Sequence, residues 1–151
     1  PSVRTVVLSA VWGQPFRVPP KGQTTGAALR RTVELLTSAG KNVIVVGDNP
    51  TFEMEPRRCK FSPEEEGCRP PLLHEDRRRD LGKQVRAVIA GNPRATFVDL
   101  APLLRDERGF SMQRDGRVLY RDTNHLNADG SRHVAAAIVA AMRELEARNP
   151  S

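Results

Sequence analysis

The stretch LYRDTNHLNADGSRHV, residues 119–134, sets Asp122 three positions before His125. In a loop, a carboxylate at that spacing folds back to accept the imidazole Nδ1 proton, which leaves Nε2 free to act as a base toward a hydroxyl nucleophile. The same residues have an ordinary use as well. Asp122 and Asn124 are turn formers, Asn127 is placed to cap a following helix, and Asp129 lies near that helix's positive end. Spacing alone leaves both readings open.

A base of this kind needs a nucleophile. Ser9 falls in an apolar run that reads as a buried strand, and neither Ser111 nor Ser131 sits in the sharp strand-to-helix turn that exposes a catalytic hydroxyl. Gly47-Asp48-Asn49 imitates a Gly-Asp-Ser turn with an amide where the hydroxyl would be. Metal chemistry is not expected, because His74, His125 and His133 fall in different elements without the i, i+4 spacing of a helical pair. VIVVGDNP lacks the glycine run that lets backbone approach a pyrophosphate, so no nucleotide cofactor is expected either. Cys59 and Cys68 are the only cysteines, eight residues of loop apart. They suit either a local disulfide, which implies an oxidising compartment, or two unpaired thiols.

A chain of 151 residues is long enough for one compact domain with a real core, so a single domain over 1–151 is expected. No apolar run approaches the ~18 residues of a membrane helix. The net charge is +6, carried mostly by arginine, yet aromatic residues make up only 5% of the chain. A nucleic-acid surface needs basic residues gathered on one face or interleaved with stacking rings, and the densest run, HEDRRRDLGKQVR, alternates signs like a solvated helix face. No nucleic-acid partner is expected, whereas attraction to an acidic polysaccharide stays open. The chain opens directly into VRTVVLSAVW with no signal-like segment, and reads as a piece of something longer.

The elements that must position these residues follow from apolar periodicity. RTVVLSAVW, residues 4–12, is β-branched and nearly continuous in apolar character, the pattern of a strand buried on both faces. QPFRVPPKGQTTG reads as a surface loop. TGAALRRTVELLTSAG, from Thr25, places Ala28, Leu29, Val33, Leu35 and Leu36 on a helical stripe that stops at Gly40. KNVIVVGD is a second buried strand. The stretch from Asn49 to Leu73 is too broken for regular structure, and long irregular loops in compact domains are often functional. A charged helix follows from about His74 to Ala90, with Leu81, Val85, Val88 and Ile89 inward. RATFVDL is a third strand, APLLRDE one helical turn, GFSMQRDGRVLY a hairpin about Asp115-Gly116, and residues 127–150 a final amphipathic helix. Strand, helix and strand in alternation predict an α/β domain with a parallel sheet between helix layers, whose site lies at the carboxyl ends of the strands.

DGRVLYRDTNHLNADGSRHVAAAIV, with its D-x-x-H-L, small turn and helix, resembles the C-terminal block of SGNH/GDSL hydrolase domains. In particular it is similar to the extracytoplasmic SGNH domain fused behind the membrane portion of acyltransferase-3 type polysaccharide O-acyltransferases. VVLSAVW resembles that group's strand ending in tryptophan, and VIVVGDNPTFEMEPRRC its strand, proline-containing loop and cysteine. The resemblance implies a flavodoxin-like three-layer α/β/α sandwich of SGNH type, an acyl donor and a polysaccharide acceptor as partners, no cofactor, and a periplasmic or extracytoplasmic place tethered to the inner membrane through an upstream acyltransferase domain. His125 would be the general base and Asp122 its orienting partner. Ala10 and Trp12 would lie near the oxyanion or substrate site, although SAVWGQ has no asparagine where the superfamily supplies one. The family's serine follows its first strand, and this chain has no Gly-Asp-Ser. The chain is therefore expected to lack the first strand-helix unit and its nucleophile. The competing expectation is an SGNH-like domain that binds a glycan without catalysis.

Overall fold

The computed structural model describes residues 3–12, 24–60 and 68–150. Of the expected loop QPFRVPPKGQTTG, residues 14–23 lie outside the described residues, as do residues 61–67 between the two cysteines. In chain order the elements are β1 (Thr5–Ser9), α1 (Thr25–Ser38), β2 (Asn42–Val46), β3 (Thr51–Phe52), β4 (Leu72–Leu73), α2 (Glu75–Ile89), β5 (Ala95–Val98), β6 (Arg105–Asp106), β7 (Gly109–Phe110), β8 (Gln113–Arg114), β9 (Arg117–Val118) and α3 (Ala128–Arg148). Two compact units emerge. The first draws on Pro1–Asp48, Arg77–Asp99 and Ala137–Ser151, the second on Asn49–Asp76 and Leu100–Ala136.

The first unit holds the parallel sheet, in the order β1-β2-β5. Every residue of β2 is buried, as its unbroken NVIVV pattern predicts for a central strand covered on both faces. β1 pairs with β2 in register from Thr5 opposite Asn42 to Ser9 opposite Val46. It is less buried than its composition predicts, with Val7 47% exposed, because among the described residues it has a neighbour on one side only. Ser9, expected to be buried, is the exposed last residue of this strand. Thr24 caps α1 by accepting from the Ala27 amide, and Gly40, at φ 75°, ends it in the left-handed conformation expected of a terminating glycine. Leu29 and Val33 pack with Val43, Val45, Val85, Ile89 and Ala95 in the unit's core. Ala28 and Leu35 were expected on this stripe but are exposed, with Leu35 71% open. They are seven residues apart, and at 100° per residue both fall on the flank beside the line through 29, 33 and 36.

The second unit is built from short pieces. β3 and β4 pair antiparallel, a 3-10 turn covers Pro56–Lys60, and β8 with β9 forms the expected hairpin. Its turn residues, Asp115 at φ 51° and Gly116 at φ 72°, are both left-handed, as a two-residue hairpin turn demands. APLLRDE is only partly the helical turn its sequence predicts. A 3-10 turn over Ala101–Leu104 runs straight into β6, which pairs with β7. Arg69 clamps this second hairpin, donating to both Asp106 carboxylate oxygens and to the Gly109 carbonyl. The Arg69 hydrogen bond outweighs burial and holds the Asp106 carboxyl down at about 2. At the centre of the unit, Phe52 meets Tyr120 edge to face with ring centroids 5.1 Å apart. Burial of two such rings is worth about 1.5–3 kcal/mol each.

Candidate active site

Residues 119–127 form a loop closed at its base by backbone. The Asn127 amide donates to the Leu119 carbonyl at 2.9 Å, Tyr120 bridges Leu126, and the Arg121 amide donates to the His125 carbonyl at 2.8 Å. Asn127 then serves both sides of the junction. Its Nδ2 donates to the Val118 carbonyl at 2.7 Å, while its Oδ1 accepts from the Gly130 amide at 2.9 Å and so caps α3. Gly130 belongs there for want of space, since a Cβ would stand 2.1 Å from the Leu119 carbonyl oxygen.

At the tip of this loop the structure brings His125 and Asp122 together. His125 Nδ1 lies 2.9 Å from both Asp122 carboxylate oxygens. Asp122 Oδ1 also accepts the backbone amides of Asn124 at 3.1 Å and His125 at 2.8 Å. The carboxylate therefore shapes its own turn while it holds the ring. Partial burial opposes its charge, but these amide and imidazole hydrogen bonds outweigh it and hold the carboxyl at about 2. An ionised acceptor at Nδ1 fixes the proton there and leaves Nε2 as the basic nitrogen. The His125 side chain is 58% exposed, and among the described residues no hydroxyl is hydrogen bonded to it.

Two residues from the segment around β3 steady the loop from behind. Asn49 Nδ2 donates to the Asn124 carbonyl at 3.2 Å, and the Phe52 amide donates to the Thr123 carbonyl at 2.9 Å. Asn49 is a site residue that sequence reasoning missed. It drew attention only as the amide standing where a serine would be, whereas its use is as a donor to the His125 loop. Its Oδ1 is buried with no hydrogen-bond partner among the described residues.

Trp12 and Ala10 belong to the other unit and are described within it. Ala10 follows the end of β1 and is half-buried. Trp12 packs against the core, donates its indole Nε1 to the Val46 carbonyl at 2.7 Å, and donates its amide to both Asp48 oxygens at 3.1 and 3.2 Å. These contacts give Trp12 a structural use at the carboxyl ends of β1 and β2. They also bring in Asp48, named from sequence only as the middle of Gly47-Asp48-Asn49.

Of the serines considered, Ser111 is buried and committed, its Oγ donating to the Gln113 carbonyl at 2.9 Å and accepting the Gln113 amide at 3.1 Å. Ser131 lies exposed in the first turn of α3. His133 Nε2 is 2.8 Å from the Leu103 carbonyl, a structural contact. Cys59 and Cys68 are both buried as thiols rather than joined in a disulfide. Burial, then the hydrogen bond and charge of Cys68, push the Cys59 thiol up to about 12. The described residues contain no metal-ligating cluster and no helix long and apolar enough to cross a membrane.

The three-stranded parallel sheet with its helices makes this a mixed α/β protein. Within that class, this chain belongs to the SGNH domain family, of the kind fused to AT3 domains, whose model matches residues 1–140. Among solved structures it is similar to the periplasmic domain of the lipopolysaccharide acetyltransferase of Salmonella ser. Paratyphi A, with a TM-score of 0.62 and 16% identity. The match covers 93% of this chain and 57% of that domain, so the chain spans little more than half its neighbour's length. At that identity the likeness is one of fold. No curated protein matches the chain.

Proposed function

We propose that this chain supplies the general base and its orienting carboxylate to a serine-dependent O-acyl transfer, with acetyl as the acyl group, on a cell-envelope polysaccharide. The observation that carries this reading is the His125-Asp122 geometry, in which an ionised carboxylate holds Nδ1 and Nε2 faces away from it. Membership of a family fused to AT3 domains supports an upstream membrane acyltransferase domain, and the neighbour's acetyltransferase activity on a lipopolysaccharide supports the acyl group and the class of acceptor. In the reaction, Nε2 takes the proton of a serine hydroxyl as the oxygen attacks the acyl carbonyl. The leaving group departs with a proton from the imidazolium, and a sugar hydroxyl or water then attacks the acyl-enzyme with the same base.

The nucleophile is not on this chain in the proposed arrangement. The exposed flank of β1, with its Val7, supports a further strand at that edge. Ala10 and Trp12 would then stand beside the new strand's carboxyl end, where oxyanion donors are needed. Ester hydrolysis by the 151-residue chain alone is the direct test. Turnover should be indistinguishable from buffer, and turnover that disappears in His125→Ala would show that the serine is already present here.

An extracytoplasmic place carries its own expectation for the two cysteines. Protein exported to an oxidising compartment should carry one disulfide, two hydrogens lighter by intact mass and resistant to iodoacetamide until reduced. Closing so short a loop should add about 2–3 kcal/mol of stability. Two alkylatable thiols in exported protein would contradict that placement.

A further inference from the structure

We propose that the cavity at the carboxyl ends of β2 and β5 is an oxyanion subsite, binding a carboxylate or phosphate carried by the acceptor saccharide. The cavity has a volume of about 190 Å³ and lies wholly within the first unit. Its place, between Gly47 after β2 and Asp99 after β5, is where open α/β sheets bind their ligands. One face of α2 forms its wall.

Arg78, Arg79, Lys83 and Arg86 all line the cavity, together with Asp48 and Asp99. Arg78 is the fixed member. Only 12% of its side chain is exposed, and its guanidinium donates to the Asp48 carbonyl at 3.3 Å and to Asp99 Oδ1 at 3.4 Å. Lys83 reaches Asp80 on the outer surface and is 74% exposed, free to swing toward a ligand. Arg79 with Lys83, and Lys83 with Arg86, put like charges on neighbouring turns of one helix, an arrangement that weakens an isolated helix. The run that reads in sequence as a solvated, sign-alternating face thus carries Arg78 inward, while Arg79, Lys83 and Arg86 are exposed residues of the cavity lining.

The floor is Phe97, with the Arg86 guanidinium 5.0 Å from its ring centroid. Two glycines flank this ring, and they differ in what they do. A Cβ on Gly47 would stand 2.8 Å from the ring, so packing alone demands glycine there. A Cβ on Gly82 would meet the ring at an ordinary 3.7 Å, and no positive φ requires glycine. Glycine in mid-helix is destabilising relative to alanine, so neither packing nor backbone conformation accounts for Gly82. Its effect is to leave open space between Arg78 and Arg86, one turn to either side, above an aromatic surface. An oxyanion entering there is within reach of the guanidinium and ammonium groups that line the cavity.

That the oxyanion belongs to the acceptor rests on the function proposed above; the binding test does not. The 151-residue chain carrying His125→Ala is titrated by calorimetry with glucuronate, inorganic phosphate and glucose. At least one anion should bind and glucose should not, with glucuronate alone marking a uronic acid and phosphate alone a phosphorylated sugar. Gly82→Leu fills the cavity with every charge kept, and should weaken anion binding at least about tenfold while the chain still melts cooperatively. Arg86→Gln should weaken it in the same direction and stands in if the leucine variant does not fold. Anions that bind no better than glucose, or as well to the filled cavity as to the open one, would overturn the proposal. Because the catalytic base is already removed, failure here leaves the His125-Asp122 reading standing, and failure of acyl transfer leaves a measured anion site standing.

Discussion

Asp122→Asn, placed in a longer protein that includes the strand-helix unit proposed to carry the serine, is expected to lower acyl-enzyme formation by about three to four orders of magnitude. The asparagine carbonyl can still accept the Asn124 and His125 amides, so the turn survives. Its amide NH₂ can then face Nδ1 as a donor, which drives the ring proton to Nε2 and removes the basic lone pair from the side where a serine would approach. Single-turnover rates with an activated ester report the loss, and a fall of less than about tenfold would mean that Asp122 only shapes the turn. The same substitution has a signature in acid. The Asp122 carboxyl is held at about 2 against an ordinary 3.8, a depressed value. The stability it contributes is fully present above its ordinary value and is lost as pH falls through the lower one. Melting temperature should therefore decline less steeply between those two values in Asp122→Asn than in the parent chain.

Gly130→Ala is the stability counterpart, and its expected sign is the reverse of the usual one. In the interior of a helix this exchange ordinarily stabilises. Here the added methyl would lie 2.1 Å from the Leu119 oxygen and 3.0 Å from its carbonyl carbon, with Leu126 Cδ2 at 3.1 Å beyond. All three contacts belong to the loop that carries His125, and its backbone is pinned by Asn127 on both sides. Relief requires moving the start of α3 away from β9, which breaks the cap. The cost should be about 3 kcal/mol or more, roughly 10 °C in melting temperature, read by circular dichroism. A raised melting temperature would show that the loop and helix can separate freely, and that the His125 loop is not held as described.

The elements with unbroken patterns were legible before any coordinates. NVIVV is the fully buried centre of the sheet because an unbroken apolar run suits only a strand covered on both faces, whereas Gly40 ending α1, Asp115-Gly116 turning the hairpin and Asn127 capping α3 each depend on neighbours a few residues away. D-x-x-H was legible for the same reason, since the carboxylate and imidazole meet within one turn of chain. What stayed hidden depends on partners far along the chain. Asn49 reaches Asn124 across 75 residues, and Trp12 finds Asp48 across 36. The β6–β7 hairpin escaped notice because two-residue strands carry no period, and its hold comes from Arg69, a residue of the cysteine loop. Leu35 misled because apolar character alone does not say which flank of a helix is covered.

The central claim is that this chain holds a poised base whose nucleophile comes from outside it. Intact-mass analysis after treatment with a fluorophosphonate serine probe tests that most directly, on the 151-residue chain and on the longer protein side by side. One adduct is expected on the longer protein, absent after His125→Ala, and none on the shorter chain. An adduct on the shorter chain that depends on His125 would contradict that claim, and would place the serine among the residues already present.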